Sequence, residues 1–462
     1  MTDIDVAIVG GGISGLSAAR ALCRQGLIVR LFEREAACGG VIRTESVGGF
    51  VIDSGPDTLL SHKPSAIELV RELGLDANLV QPLPRRTTYV LRGSALRTLP
   101  ETSALGLPTG WRTVVGARAF SWMGKLRMAA ETFIPGSPPS TDESIATFVR
   151  RRFGREAVTY VAEPVLAGLH RGDAARLSMR ALFPFLAEAE RRHGSVAAAW
   201  RRMPASARHG GSMSLRGGLG QIAARLQADL PAGVTVTAAE VIAIERDTGF
   251  AIRLQGGASV STRAVILATP AHVTSTLITS LDPELSRLCG SINYAPSINV
   301  ALGYRREAIR HPLQGWGFMV PARERRLLRS VSWMSSKWPD RAPPGHALIR
   351  ASIGDATDAV VLEQHDRTLI ERAHKDLREL LDIVEVPILA RVYRRPRAMP
   401  QLEVGHLDRV SAIDRRLASV PGLFVSASGF RGIGLPDCIS DARSVAQRAA
   451  AYVHEVADPI AV

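Results

Sequence analysis

Three glycines spaced as Gly10-x-Gly12-x-x-Gly15, followed by Glu33, are the residues in this sequence whose types and spacing imply chemistry most directly. In such a pattern the first glycine permits a tight turn, the second lets the backbone approach a pyrophosphate, and the third lets a helix pack on a strand. Amide donors at the helix start then face phosphate, and an acidic side chain about twenty residues on accepts hydrogen bonds from a ribose. A second glycine pair follows in Cys38-Gly39-Gly40-Val-Ile-Arg43. An NAD site has no need of it, whereas FAD running past Gly40 does, with Arg43 meeting phosphate or ring oxygens; an ordinary loop with a surface arginine is the alternative. No Ser/His/Asp, Cys/His or paired-carboxylate arrangement stands out, so no catalytic side chain is assigned. The four cysteines, Cys23, Cys38, Cys289 and Cys438, form no C-x-x-C pair, and neither a metal site nor a disulfide framework is readable.

The elements that must position these groups follow from periodicity. Asp5–Val9 reads as a strand, Leu16–Leu22 as a helix closed by Gly26, and Leu27–Phe32 as a second strand ending at Glu33. That is a βαβ unit, whose sheet starts parallel. Helical patterns recur at Ala66–Leu73, Ser144–Phe153, Glu156–Leu169, Met179–Arg192 and Asp366–Leu381. Strand-like runs occur at Val234–Thr237, Glu240–Arg246, Ala251–Leu254, Val265–Ala268, Ile298–Tyr304 and Leu348–Ile353. Near the end, Gly422–Ser426, a glycine turn at Gly429–Gly434 and a helix from Cys438 repeat the order of strand, turn and helix. This suggests one nucleotide domain assembled from separated segments.

With 462 residues, 46% hydrophobic and 22% charged, the chain suits two or three packed domains and excludes disordered and fibrous classes. The net charge is +13, and only Lys63, Lys125, Lys337 and Lys375 among the 57 basic residues are lysines. Codon bias accounts for such an arginine excess; attraction to nucleic acid, anionic lipid or an acidic substrate is the alternative. No zinc finger or aromatic-interleaved basic stripe accompanies it, so nucleic acid is not an expected partner. The start lacks a signal-peptide pattern and no run of about 18 apolar residues occurs, so a cytoplasmic protein is expected.

GGGISGLSAARAL together with GGVIRT resembles the flavin-dependent amine-oxidase superfamily, and within it the chain looks like the porphyrinogen oxidases. The narrower likeness lies in Phe50-Val-Ile-Asp-Ser-Gly-Pro-Asp57, in Glu163-Pro-Val-Leu-Ala-Gly168-Leu-His-Arg-Gly-Asp173, and in Ser426-Ala-Ser-Gly-Phe-Arg-Gly-Ile-Gly434-Leu-Pro-Asp437-Cys-Ile439. The resemblance implies an FAD enzyme that removes six electrons from a porphyrinogen to give the porphyrin of haem biosynthesis, with dioxygen as acceptor. It implies transfer of hydride from a meso carbon to the flavin N5, the flavin carrying the chemistry.

The implied cofactor contacts are Gly10, Gly12, Ser14 and Gly15 at the pyrophosphate, Glu33 at the ribose, and Gly40 and Arg43 along the cofactor. Gly55 and Pro56 would lie near the flavin, Val241 near the adenine, and Gly432, Gly434 and Leu435 against the isoalloxazine. Val241 reads equally as strand core. For substrate, the resemblance points to Arg86 as partner of a propionate, Gly168 as a pocket glycine, and Trp316 and Met319 as apolar clamps. A solvated arginine and core packing are the respective alternatives. Ala427 and Ala442 stand where relatives carry glycine, and Trp316 where a Phe-type aromatic is usual; protoporphyrinogen IX and coproporphyrinogen III remain open.

The fold class this implies is α/β: a discontinuous Rossmann-like FAD-binding domain (1–85, 210–272 and 400–455), a helical insertion (86–209) and a β-rich substrate domain (273–399). Within the insertion, residues 105–136 mix Trp111, Phe120, Trp122 and Met123 with Arg112, Arg118, Lys125 and Arg127, as an interfacial segment would. Peripheral contact with the inner face of a membrane is one reading and a folded helical subdomain the other. Oligomeric state is not readable.

Overall fold

Ile4–Val9 is apolar on both faces, and a strand of that kind needs cover on both. In the computed structural model, which describes residues 4–84, 87–99, 111–136, 142–202, 211–354 and 359–457, it lies in the middle of a seven-stranded sheet. Val29–Phe32 and Ser259–Leu267 flank it in parallel, and Thr235–Val236 lies parallel beyond Val29–Phe32. Ser259–Leu267 is shared. Its first half pairs antiparallel with Phe250–Leu254, which leads on to Val241–Arg246, and its second half pairs parallel with Leu423–Val425.

Both faces are covered. Val6, Ile8, Leu31 and Ile266 pack under the neighbouring helices Ile13–Cys23 and Leu435–Ala457. Ala7, Val9, Val265 and Leu267 pack on the other side with Leu285 and Ile413, from helices Pro283–Gly290 and His406–Ala418. The result is the expected α/β architecture, its sheet drawn from widely separated stretches. The first helix approaches the first strand so closely that a Cβ at Gly15 would overlap the Gly10 carbonyl oxygen.

A second seven-stranded sheet runs in the order Leu389–Pro400, Tyr294–Arg305, His346–Ile353, Leu328–Trp333, Gly317–Met319, Thr88–Arg92 and Ala95–Thr98. All neighbours are antiparallel except Gly317–Met319 with Thr88–Arg92. One face is apolar: Val300, Leu302, Ile349 and Val331 pack against Leu369, Ala373 and Leu377 of the helix Asp366–Leu381. The register places Asn299, Ser352, Ser330, Arg350, Ser332 and Met319 on the opposite face, because successive strand residues alternate sides.

Helices between Trp111 and Arg202 form a third layer with its own core, including Phe148, Phe153, Val161 and Leu166. Ser144 caps Ile145–Phe153 by accepting the Thr147 N–H at 3.2 Å. Arg152 is fully buried and forms an ion pair with Glu131, whose carboxylate also accepts the Ser195 hydroxyl and the Val196 N–H. Where one helix over Glu156–Leu169 is expected, the chain makes a short turn, a π-helical turn at Val158–Ala162 and then Glu163–Leu169. Pro164 has no N–H to return to the preceding turn, which favours the widened spiral. Pro184 likewise divides the expected Met179–Arg192 helix into Met179–Leu182 and Pro184–His193. No helix among the described residues is long and apolar enough to cross a membrane.

Substituting Gly15→Ala forces the first helix off the strand. The expected result is a loss of about 2–4 kcal/mol in stability, read by thermal or denaturant unfolding.

Candidate functional site

Gly12 caps the helix Ile13–Cys23 without a side-chain hydrogen bond, and no acidic residue stands in its first turn. The first N–H groups and the positive end of the helix dipole are thereby left for an anion. A Cβ at Gly12 would meet nothing within 4 Å, and the Cβ position of Gly40 lies 3.3 Å from the Gly12 Cα. Two backbones therefore border open space at the helix end. Gly10, with φ +105°, turns the chain there, and Ser14 is buried in the first helical turn.

Glu33 follows Val29–Phe32, and its carboxylate accepts the N–H groups of Gly11 at 2.7 Å and Glu35 at 2.8 Å. Val241 is buried with Phe32 and Val236 beside it. Arg43 is exposed, with its guanidinium 3.5 Å from the Ala37 carbonyl oxygen. Gly432 and Gly434 lead into Leu435–Ala457. Asp437 of that helix accepts Lys63 Nζ at 2.6 and 2.8 Å and the Gly434 N–H at 3.3 Å, while Leu435 packs in the cluster that holds Ile13 and Leu16. Of the residues read as cofactor contacts, Gly10, Gly12, Ser14, Gly15, Gly432, Gly434 and Leu435 gather at the starts of two adjoining helices with Gly40 against Gly12, whereas Val241 lies in the cluster on the other side of the sheet.

The segment 53–57 links this region to the polar face of the second sheet. Gly55 passes so close to Val41 that a Cβ would overlap its carbonyl oxygen, and Pro56 beside it is half-buried. Arg350 Nη1 donates to the carbonyls of Gly55 at 2.9 Å and Asp53 at 3.2 Å. Asp57 accepts Lys337 Nζ at 3.0 Å and Trp338 Nε1 at 3.2 Å, with Arg350 Nη2 at 3.4 Å. Burial alone would raise this carboxyl, but Lys337 and Arg350 overrule it and hold it well below the usual carboxylate range. Lys337 Nζ also lies 5.7 Å from the centre of the Trp316 ring.

Gly168 comes down on the same sheet face. A Cβ there would stand 3.1 Å from Ser330 Cβ and 3.6 Å from Met319 Sδ. Met319 and Gly168 are therefore neighbours, and Trp316 reaches Lys337; Arg86 lies outside the described residues. The adjoining His170 is half-buried with its Nδ1 enclosed, and burial pulls its imidazole down to about 4 and keeps it neutral. Sequence reasoning passed over Asp57, Arg171, Lys337 and Arg350. Asp57 and Arg171 fall within segments singled out for their likeness, and Lys337 is one of only four lysines; Arg350 carries no sequence signal. A cavity of about 460 Å3 lined by Arg92, Arg155, Tyr160 and Arg323 includes none of these residues.

The family model for flavin containing amine oxidoreductase matches residues 13–450. The chain belongs to this family. It is similar to the coproporphyrinogen III oxidase of Bacillus subtilis (strain 168), 30% identical over 97% of this chain and 98% of that protein. With the coproporphyrinogen III oxidase of Mycobacterium leprae (strain TN) it shares 32% identity over 96% and 97% of the two chains. With protoporphyrinogen oxidase 1, chloroplastic, of Arabidopsis thaliana the values are 30% over 96% and 87%. Among solved structures, one from Exiguobacterium sp. 255-15 shares the fold with a TM-score of 0.86 at 24% identity, covering 98% of this chain and all of the other. A putrescine oxidase bound to putrescine shares it at 0.69 and 17%, covering 97% and 99%.

As a flavin-containing amine oxidoreductase, the protein uses FAD, and the uncapped helix end with open space at Gly12 fits the pyrophosphate of that cofactor. A methyl group at Gly12 would enter this space without touching protein. Gly12→Ala is expected to keep unfolding stability within about 1 kcal/mol of the parent and to lose bound FAD, read from the 450 nm flavin band after gel filtration.

Proposed function

We propose that this flavoenzyme oxidises a porphyrinogen to its porphyrin by removing six electrons, with dioxygen as the final acceptor. The observation that carries the reading is the polar sheet face with Met319 and Arg350. The cofactor-side segment 53–57 meets it at Arg350 and Gly168 of the helical layer meets it at Met319. Full-length likeness to proteins named coproporphyrinogen III and protoporphyrinogen oxidases supports the substrate class.

Bound FAD would supply the two-electron acceptor, and the chain's own groups bind and orient. Gly10, Gly12, Ser14 and Gly15 hold the pyrophosphate, Glu33 the ribose, and Gly40 and Arg43 the middle of the cofactor. Val241 flanks the adenine, Gly55 and Pro56 the flavin, and Gly432, Gly434 and Leu435 the ring. Trp316 and Met319 press on the macrocycle beside Gly168, and Arg86 pairs with a propionate, a planar fork meeting a carboxylate. No side chain here needs to act as nucleophile.

The decisive assay adds coproporphyrinogen III or protoporphyrinogen IX separately, under air, to the purified yellow protein and follows porphyrin fluorescence against autoxidation. Accelerated porphyrin formation from at least one of them is expected. A yellow protein inert to both but active on an amine would sink the reading. Arg86→Glu is expected to lower kcat/KM by about tenfold or more at unchanged flavin content, because it reverses the charge facing a carboxylate.

Peripheral membrane contact is the second part of the reading. The helix Trp122–Ala129 and the turn after it leave Trp122, Met123, Leu126 and Phe133 65–85% exposed, while Phe120 turns into the core. Lys125 Nζ sits 4.8 Å from the Trp122 ring and Arg118 is exposed nearby, the pairing of apolar and basic groups that suits an anionic lipid surface. The protein is expected to co-sediment with anionic vesicles, and Trp122→Ser with Phe133→Ser to abolish it; equal sedimentation of parent and variant would remove this surface from consideration.

A further inference from the structure

Arg171 is only 7% exposed, yet among the described residues no acidic group balances it. Its Nη2 donates to Asn299 Oδ1 at 2.7 Å, while Nη1 is buried without a hydrogen-bond partner. Burial is the main influence on this guanidinium, and the like charge of Arg350 adds to it, together pulling its pKa down to about 10. Ser352 stands opposite Asn299 in the strand register, is 5% exposed, and its Oγ also lacks a partner. Among the described residues, two buried donors without acceptors therefore flank one asparagine on the polar face of the second sheet.

The backbone is built to hold this arrangement. Arg171 adopts φ +54°, a region that side-chain-bearing residues rarely occupy. Gln401 fixes the turn by donating its Nε2 to the His170 carbonyl at 3.0 Å, and a Cβ at Gly172 would strike Gln401 and Leu177. A strained turn that presents an uncompensated buried cation lacks only an anion. Three residues earlier the same segment places Gly168 against Met319.

We propose that Arg171 and Ser352, with Asn299 orienting the guanidinium, form a buried receptor for one carboxylate of the substrate. The inference rests on the porphyrinogen reading and deepens it, since the propionates are the carboxylates such a substrate carries. Arg171 Nη1 and Ser352 Oγ each donate to a carboxylate oxygen, so the bound substrate supplies the charge balance that the fold leaves open. This anchor belongs to the helical layer and the second sheet.

The test uses the FAD-loaded enzyme and its Arg171→Met and Ser352→Ala variants, with coproporphyrinogen III, protoporphyrinogen IX and the tetramethyl ester of coproporphyrinogen III as substrates. The parent is expected to favour the acid over its ester, and Arg171→Met to raise KM for the acids by about tenfold or more while leaving KM for the ester within about twofold. Ser352→Ala should raise KM for the acids by a smaller factor in the same direction. Because Met removes an unbalanced buried charge, the substrate-free Arg171→Met enzyme should melt no lower than the parent, whereas a purely structural arginine predicts a lower melting temperature. Unchanged KM for the acids, equal KM for acid and ester in the parent, or a melting loss without a KM change would each overturn the receptor. A changed flavin potential with constant KM would assign the guanidinium to the cofactor and also overturn it. Should Arg171→Met fail to fold, the Ser352→Ala variant and the acid-to-ester comparison still decide. A parent enzyme that oxidised none of the porphyrinogens would instead reject the reading of function itself.

Discussion

The carboxylate of Asp57 is the tie on which the relative placement of cofactor and substrate elements depends. It leaves the cofactor-side segment and is held by Lys337 and Trp338 at the end of the short helix Met334–Lys337 and by Arg350 of the second sheet, all largely buried. Two cations sharing one buried carboxylate cannot be separated from it without stranding charge in a medium of low dielectric constant, so the geometry has no cheap alternative. Arg350 continues the link to the carbonyls of Asp53 and Gly55. A strand of the second sheet, the short helix before it and the loop after Phe50–Asp53 thereby become a single rigid floor. Catalytic geometry in an oxidoreductase whose cofactor does the chemistry reduces largely to such rigidity.

Charge is distributed unevenly around that floor. Asp57 compensates Lys337 and Arg350 in part, and Arg171 not at all. Two other buried arginines do have acidic partners: Arg152 meets Glu131 and Glu190, and Arg341 meets Asp53. The contrast separates ion pairs that hold the fold from cations that await a ligand. It also gives the arginine-rich composition a local meaning at one place, where overall net charge had none.

What could be read in the sequence was set by how narrowly physics restricts each residue. Gly10, Gly12 and Gly15 were legible because turn, phosphate approach and helix packing each tolerate only glycine, and the βαβ unit around them because its strands are apolar on both faces. The second sheet was harder. Its face carrying Asn299, Ser330, Ser352 and Arg350 is polar yet half-buried or buried, which defeats the rule that alternation marks one solvent side. Leu389–Pro400 is an edge strand dense in arginine, with Pro396 inside the irregular pairing between Ala295 and Ser297, so nothing marked it as a strand. Thr88–Arg92 joins the sheet through a parallel partner more than 200 residues away, a pairing local pattern cannot reveal. Arg171 was one arginine among dozens; burial and a missing partner are properties of the folded chain alone.

The first and last long helices lie side by side, and Leu423–Val425 completes the sheet begun by Ile4–Val9 through Ser259–Leu267. Ribosomal synthesis therefore releases the glycine turn long before the segment that finishes its surroundings. At about 5–20 residues per second, roughly 20–80 seconds separate the two. Throughout that interval the nascent strand Ile4–Val9 lacks its cover from Leu435–Ala457. Removing the helix Leu435–Ala457 would leave that strand uncovered and the surroundings of the glycine turn unfinished.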